Sequence, residues 1–205
     1  MKIASSGIPH NLVEELTAEL RPEIEAEIDT DTFAYRSTDV PSWIGFLATA
    51  DWWVQALAGY AALYVAEIVK EAGKDTWKNR AKAVTAVRSV GNAIRKLASS
   101  IARVRSKLEP GSNVTVGIPV PDWVYTTDLK LFADDEDELA VELALFVHHL
   151  PRLEALIESE GLHQGAAVGW INLRILPNGS LEVQWMDKQS LDDCRRVLPL
   201  DRNAP

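Results

Sequence analysis

The sequence predicts an α+β fold: an N-terminal β-α-β unit, then a long helical hairpin, then a small α+β domain with an antiparallel hairpin. Three observations predict it. Residues 23–28 alternate acidic and apolar side chains, the two-residue period of a half-buried strand. Residues 87–108 repeat apolar side chains every three or four positions, as one face of a helix does. Residues 177–179, Pro-Asn-Gly, separate two strand-like runs and indicate a hairpin.

The composition is that of a globular protein from a reducing compartment. A hydrophobic fraction of 47% and a charged fraction of 25% supply enough apolar side chains for a core, which argues against disorder along the whole chain. The single cysteine, Cys194, cannot form a disulfide within the chain, and the first residues lack the apolar core of a secretory signal. We therefore expect a cytoplasmic protein, with association to a membrane as the alternative.

The first elements follow from short patterns. Residues 1–5, MKIAS, are strand-like, and apolar residues at helical spacing predict a helix from Pro9 to Arg21. The alternating segment that follows completes the β-α-β unit.

A long apolar segment, residues 43–69, predicts the first helix of the hairpin, with Ser42 as its N-cap. Its length would suffice to cross a bilayer, but Asp51, Gln55 and Glu67 are costly at hydrocarbon depth. We therefore interpret it as a buried helix of a globular domain, and a membrane-active helix remains the alternative. Its large apolar side chains share one face: Trp53, Leu57, Tyr60 and Tyr64.

The second helix of the hairpin is predicted from Thr76 to Leu108. Its apolar positions form a narrow seam like that of a coiled coil, over residues 87–108. The seam needs a partner surface, which is either the preceding helix, folded back upon it, or a second copy of the chain. The seam residues assigned to this helix interface are Ile94, Leu97 and Ile101.

Residues 109–113, EPGSN, combine turn-forming residues and predict a linker between two domains, residues 1–108 and 114–200. In the second domain we expect strands at residues 113–121 and 126–133, followed by an acidic-capped helix that Pro151 kinks or splits. The hairpin comes next, and a short helix over about Ser190 to Val197 closes the domain.

Charge is distributed in three blocks: residues 1–69 carry a net −8, residues 70–107 a net +9 and residues 108–205 a net −10. The basic block could bind nucleic acid or anionic lipid headgroups. Because acidic blocks flank it, neutralisation within the chain or an acidic protein partner is the favoured explanation, and nucleic acid is not favoured. The basic residues assigned to partner binding are Arg88, Arg95, Lys96 and Arg103.

The hairpin offers a second candidate surface. Trp170 and Arg174 share the polar face of its first strand, and Glu182 and Gln184 alternate on the second strand. A mixed face with a tryptophan and an arginine is typical of protein interfaces, and we assign Trp170 and Arg174 to partner binding.

No set of residues predicts catalysis, a cofactor or a metal. His148 and His149 are adjacent, so they diverge by about 100° on a helix and are poorly placed to hold one ion. Glu160 and His163 lack a nucleophile, and Cys194 beside two arginines is the only candidate thiol. Phosphate-binding glycine loops, zinc spacings and nucleophile elbows are absent from the sequence. An enzyme of unrecognised type stays a minor alternative.

Residues 59–80, GYAALYVAEIVKEAGKDTWKNR, carry a resemblance that covers about residues 1–82. A β-α-β start, a helix rich in small residues and the EAGKDTWK motif together resemble small uncharacterised bacterial proteins that are similar to effector-associated components of conflict and defence systems. The resemblance implies a bacterial accessory or effector module and brings no catalytic residues.

The sequence therefore predicts a non-enzymatic protein-interaction module, an accessory or immunity-type component of a bacterial defence or toxin system. Its acidic blocks would attract a basic partner over long range. The alternative is a membrane-acting effector whose 43–69 helix inserts into or lies on a bilayer.

Overall fold

The structure is a computed structural model that describes residues 1–28, 42–47, 92–119, 126–162 and 167–200. In this part of the chain it contains three helices and eight strands, so the α+β class is confirmed. The helices are α1 (His10–Ile24), α2 (Asn92–Lys107) and α3 (Glu136–Ser159). The strands are β1 (Lys2–Ser6), β2 (Glu27–Ile28), β3 (Trp43–Leu47), β4 (Asn113–Pro119), β5 (Thr126–Lys130), β6 (Ala167–Ile175), β7 (Leu181–Asp187) and β8 (Asp193–Leu198).

All eight strands form one mixed sheet in the order β2-β1-β3-β4-β5-β6-β7-β8. Parallel pairs join β1 to β2, β3 to β4 and β5 to β6, and the other neighbours are antiparallel. Paired residues point to the same side of a sheet, so the register defines two faces. The face that carries Phe46, Val116, Leu129, Leu173 and Val183 is buried in one hydrophobic core with the three helices.

At the N-terminus, strand, helix and strand follow in the predicted order, but the second strand begins later than the alternation suggests. Helix α1 continues to Ile24, which is buried, and Glu25 ends it in the left-handed conformation (φ 51°) with its N–H bonded to the Arg21 carbonyl. Among the described residues after α1, Glu27 and Ile28 form β2 and pair with β1. The period-two pattern arises because the last helical turn and the extended segment after it both turn apolar side chains inward.

The predicted helix over residues 43–69 is wrong at its start, because Trp43–Leu47 is a strand. This segment lies between β1 and β4 and pairs with both, so the sheet satisfies its backbone groups on two sides. Its tryptophan, isoleucine and phenylalanine also favour strands, and the surrounding pairing decides the conformation. The remainder of that helix, including Trp53, Leu57, Tyr60 and Tyr64, lies outside the described residues.

The described part of the predicted seam is a core surface. Ile94, Leu97 and Ile101 are fully buried in a single chain, where α2 packs beside α1 and α3. These side chains are therefore covered without a second copy. The start of the predicted helix, with Arg88, lies outside the described residues.

The predicted linker joins α2 to β4 through a turn in which Gly111 has φ 91°. The sheet does not break there, because β3, which precedes the turn, pairs along its length with β4, which follows it. The hydrophobic core likewise draws on residues from both sides of the turn.

Helix α3 begins as predicted, with the Asp135 side chain accepting hydrogen bonds from the backbone N–H groups of Asp137 and Glu138. Of the two effects predicted for Pro151, a kink or a split, the split is wrong: one helix runs through Pro151, since Val147 and Leu153 on either side are both buried in the core. In the described ranges no helix is long and apolar enough to cross a membrane.

The predicted closing helix over about Ser190 to Val197 is also wrong, because Asp193–Leu198 forms β8. This segment pairs along its length with β7, and the exposed edge of a sheet accepts its charged side chains. Backbone pairing with β7 thus outweighs the helical tendency of a short polar segment.

Candidate protein-binding face

The side of strands β5 to β8 that points away from the hydrophobic core carries a group of exposed polar and apolar side chains. We call it the open face. Its register places the side chains in two rows that cross the strands: Lys130, Arg174, Glu182 and Val197 form one, and Asp128, Asn172, Gln184 and Arg195 form the other.

Glu182 is the centre of the open face. It is 1% exposed, and its Oε2 accepts hydrogen bonds from Arg174 Nη2 (2.8 Å) and Gln184 Nε2 (2.9 Å). Its other oxygen, Oε1, contacts Arg195 Nη2. A buried carboxylate is tolerated only when it is paired and hydrogen-bonded, and here two arginines from the neighbouring strands provide the pairing.

The two arginines keep one end in solvent, since the Arg174 side chain is 45% exposed and that of Arg195 is 58% exposed. Exposed apolar side chains lie on the same face: Met186 in β7 and Val197 in β8. Lys130 and Gln184 are exposed as well. The open face thus combines guanidinium groups that Glu182 holds in place with apolar surface.

The other face of β8 is tied to α3. Arg196 pairs with Glu160 (Nη2 to Oε1, 3.2 Å) and lies 5.8 Å from the ring centre of Trp185. Glu160 therefore has a cationic partner, whereas His163, which the sequence placed beside it, lies outside the described residues. Cys194 is a half-buried free thiol in the same strand.

His149 anchors the β6–β7 turn to α3. Its Nε2 lies 2.8 Å from the Gly179 carbonyl oxygen, so Nε2 carries the proton and donates it. In the described structure its buried Nδ1 has no hydrogen-bond partner, which suits a neutral ring that has no second proton there. Burial, with contributions from the nearby His148 and Arg152, lowers the pKa of His149 to about 4 against the opposing effect of the hydrogen bond to Gly179.

The two histidines stand with ring centres 5.5 Å apart in an edge-to-face arrangement. Within the described ranges no three residues of the ligand-forming types come together as a metal site. The hydrogen bond from His149 to Gly179 holds the β6–β7 turn against α3.

Several basic residues of α2 are paired inside the chain. Arg103 donates to both oxygens of Glu23 (3.0 and 2.8 Å), and Lys107 lies 2.5 Å from Glu19 of the same helix, α1. The hydrogen bond from Lys107 lowers the pKa of Glu19, and the hydrogen bond to Glu23 raises the pKa of Arg103. Arg105 donates to the Leu131 carbonyl (2.6 Å).

Of the residues assigned to partner binding, only Arg174 has a described side chain on the open face. Trp170 belongs to β6, and its side chain is outside the description. Arg95 is half-buried and Lys96 is exposed on α2, and Arg103 is engaged with α1.

Sequence reasoning missed Lys130, Met186, Arg195 and Val197. Arg195 and Val197 were missed because their segment was assigned to a helix. In a strand the same segment alternates its side chains and places these two residues beside Gln184 and Glu182. Lys130 belongs to a predicted strand, but only the sheet order brings it next to Arg174.

Comparison of the chain with protein-family models, with curated proteins and with solved structures returned no match.

Proposed function

We propose that this chain is a non-enzymatic protein-interaction module that binds another protein through the open face. The observation that carries the proposal is the buried Glu182 carboxylate, which fixes Arg174 and Arg195 beside the exposed Met186 and Val197. Arginine and methionine are enriched at protein interfaces relative to the remaining surface.

The ion-paired cluster supports binding because it orders the arginine side chains before a partner arrives. Each long side chain that is immobilised on association costs about 0.5 to 1.5 kcal/mol, and this cost is reduced when the side chain is already held. The cluster sits on hydrogen-bonded strands, which keep its geometry fixed. A partner therefore meets a prearranged set of donors next to apolar surface.

Charge acts at two distances in this proposal. The chain as a whole carries −9, which attracts a basic partner over long range and speeds its encounter. At the contact itself, Lys130 and the two arginines present donors to acceptor groups of that partner.

The biological role that we propose is that of an accessory or immunity-type component of a bacterial defence or toxin system. The support is the resemblance of residues 59–80 to such proteins, within a similarity over about residues 1–82.

The test uses a matched pair of charge reversals, Lys130→Glu on the open face and Lys96→Glu on α2, because both residues are exposed lysines. Each immobilised variant and the unaltered chain is incubated with a bacterial extract, and the captured proteins are quantified at low and high salt. We expect Lys130→Glu to lose the captured partner and Lys96→Glu to retain it.

High salt should also weaken capture by the unaltered chain, because salt screens long-range attraction. If Lys96→Glu loses the captured partner and Lys130→Glu retains it, the binding site lies on α2. A complex that survives Lys130→Glu would exclude the open face, and capture that does not change with salt would exclude electrostatic steering.

A further inference from the structure

Strand β8, the last described strand on its side of the sheet, has a self-complementary order of charges. Residues 191–197 read Leu-Asp-Asp-Cys-Arg-Arg-Val, so that acidic residues precede Cys194 and basic residues follow it at equal distances. We propose that β8 is a dimerisation edge, at which a second copy of this chain pairs antiparallel about a two-fold axis through Cys194.

The backbone of β8 is prepared for such pairing. Asp187 N–H bonds the Asp192 carbonyl (2.9 Å), and the β7–β8 register then directs the backbone groups of alternate residues, including Cys194 and Arg196, toward β7. Asp193, Arg195 and Val197 consequently direct theirs away from the sheet. In the described residues β8 is the last strand on this side, and the Arg195 carbonyl accepts only from the neighbouring Arg196 side chain (3.2 Å).

The symmetry of a dimer restricts the register. A two-fold axis normal to the sheet leaves the corresponding faces of both copies on the same side. Directly opposed residues of the two strands share a face, so the axis must pass between one residue and the same residue of the other copy. About Cys194, Asp193 of one copy faces Arg195 of the other, and Asp192 faces Arg196. Because the dimer is symmetric, each of these two contacts between opposite charges occurs twice.

The neighbouring registers place like charges against each other. An axis at Asp193 opposes the two Asp193 carboxylates, and an axis at Arg195 or Arg196 opposes two guanidinium groups. Opposite charges across a strand pair stabilise it and like charges destabilise it. The charge order therefore favours the register about Cys194.

Charged side chains on an edge strand normally prevent pairing between molecules. Here their order has the opposite effect for one partner, a second copy of the chain, because the two copies neutralise each other. Asp193 is exposed, and Arg195 and Arg196 keep side chains that are 58% and 54% exposed although they bind Glu182 and Glu160 within the chain. Each guanidinium group has five N–H donors, so it can also bind a carboxylate of the second copy. At the opposite edge, the described residues of β2 are Glu27 and Ile28, which carry no such order of charges.

The backbone geometry of this register is also specific. Asp193 and Arg195 of opposite copies form pairs that each exchange two hydrogen bonds, and the two Cys194 residues form the non-hydrogen-bonded pair between them. In such a pair the Cα atoms are about 4.5 Å apart, within the range that a disulfide spans. In the register about Arg195 the two cysteines stand diagonally, about 7 to 8 Å apart, beyond that range.

The experiment measures the mass of the full chain by analytical ultracentrifugation over a micromolar concentration series, and then cross-linking by copper phenanthroline. That oxidant accepts the two electrons released when two thiols lose their protons and join. We expect a reversible dimer that becomes a covalent dimer through Cys194, and no cross-link in Cys194→Ser. A chain that stays monomeric throughout, or a dimer that does not cross-link, would overturn the proposal.

Charge exchange tests the register. Asp193→Lys should raise the dimer dissociation constant at least about tenfold, because two attractive pairs become repulsive. Mixing it with an Arg195→Glu variant should restore a mixed dimer, in which both positions again oppose unlike charges. An unchanged dissociation constant in Asp193→Lys would contradict the proposal even if Arg195→Glu, which alters the contact to Glu182, fails to fold.

The proposal goes beyond the open face and is separable from it. Lys130 lies in β5, three strands away from β8, so Lys130→Glu should abolish partner capture and leave the dimer intact. Asp193→Lys should weaken the dimer whether or not the open face binds a partner.

Discussion

His149 is the residue at which the fold has its clearest effect on chemistry. The ring is 0% exposed, donates to the Gly179 carbonyl through Nε2 and has no described acceptor for a second proton. Protonation would therefore create a buried charge with an unsatisfied N–H. This residue fixes the position of the β6–β7 turn, which precedes Glu182 and so supports the open face.

The stability of the protein should depend on pH through His149. Its pKa falls from 6.5 to about 4 on folding, so its neutral form stabilises the fold fully above pH 6.5, and that contribution is lost as the pH falls from about 6.5 to about 4. The loss amounts to about 3 kcal/mol. Urea unfolding of the unaltered chain and of His149→Gln at several pH values should show a smaller loss over this interval in the variant.

His10 provides the matched control, because its side chain is 71% exposed on α1. His10→Gln should keep the pH dependence of the unaltered chain. If His149→Gln and His10→Gln lose stability equally between pH 6.5 and 4, His149 is not the group responsible.

At the scale of elements, α2 combines two roles on different faces. Its apolar side chains enter the core, while Arg103, Arg105 and Lys107 bind groups of α1 and of the segment after β5. These three basic residues are thus paired with acidic residues of the same chain, and neutralisation within the chain is one explanation that the sequence analysis offered for the basic block. The pairs are partly exposed, so they orient the helices more than they stabilise them.

The burial of the seam leads to a prediction for α2. Leu97→Ala should lower the free energy of unfolding by about 2 to 5 kcal/mol, because it leaves a cavity in the core of one chain. Lys96→Ala, at the adjacent exposed position, should change it by less than about 0.5 kcal/mol. Denaturant unfolding measures both values.

The oligomer mass distinguishes this result from a seam that joins two copies. Leu97→Ala should leave the mass of the folded protein unchanged. If Leu97→Ala keeps the free energy of unfolding of the single chain but no longer forms a dimer, the seam is an interface between chains.

At the scale of the whole molecule, one sheet connects residues on both sides of the turn at 109–113. Strands β3 and β4 pair directly, and the core contains side chains from α1 and α2 together with those of α3. Cutting the chain at this turn therefore leaves both fragments with unpaired strand edges and exposed apolar faces.

A protease site inserted after Gly111 tests this connection. Gly111 has a positive φ, and a Cβ there would meet nothing within 4 Å, so the turn has room for an insertion. After cleavage we expect the two fragments to elute together in gel filtration and to separate only in denaturant. Fragments that elute separately and each retain a cooperative unfolding transition would support two independent domains.

The sequence by itself determined the local elements whose patterns are strong. The α+β class, β1, α1, the β4 and β5 strands, the capped start of α3 and the β6–β7 hairpin all follow from hydrophobic period, capping and turn residues. These signals are local, because they depend on neighbours within a few positions. Alternation along the hairpin likewise assigned Arg174 to the polar face of its first strand.

Only the tertiary structure decided the elements and sites that depend on distant partners. Trp43–Leu47 and Asp193–Leu198 are strands because neighbouring strands satisfy their backbone groups, and α3 passes through Pro151 because the core holds both of its parts. The order of strands brings Lys130 beside Arg174 and Arg195 beside Glu182. Sheet order is a long-range property, so no local pattern could assemble the open face or show that β8 is the last of the described strands on its side of the sheet.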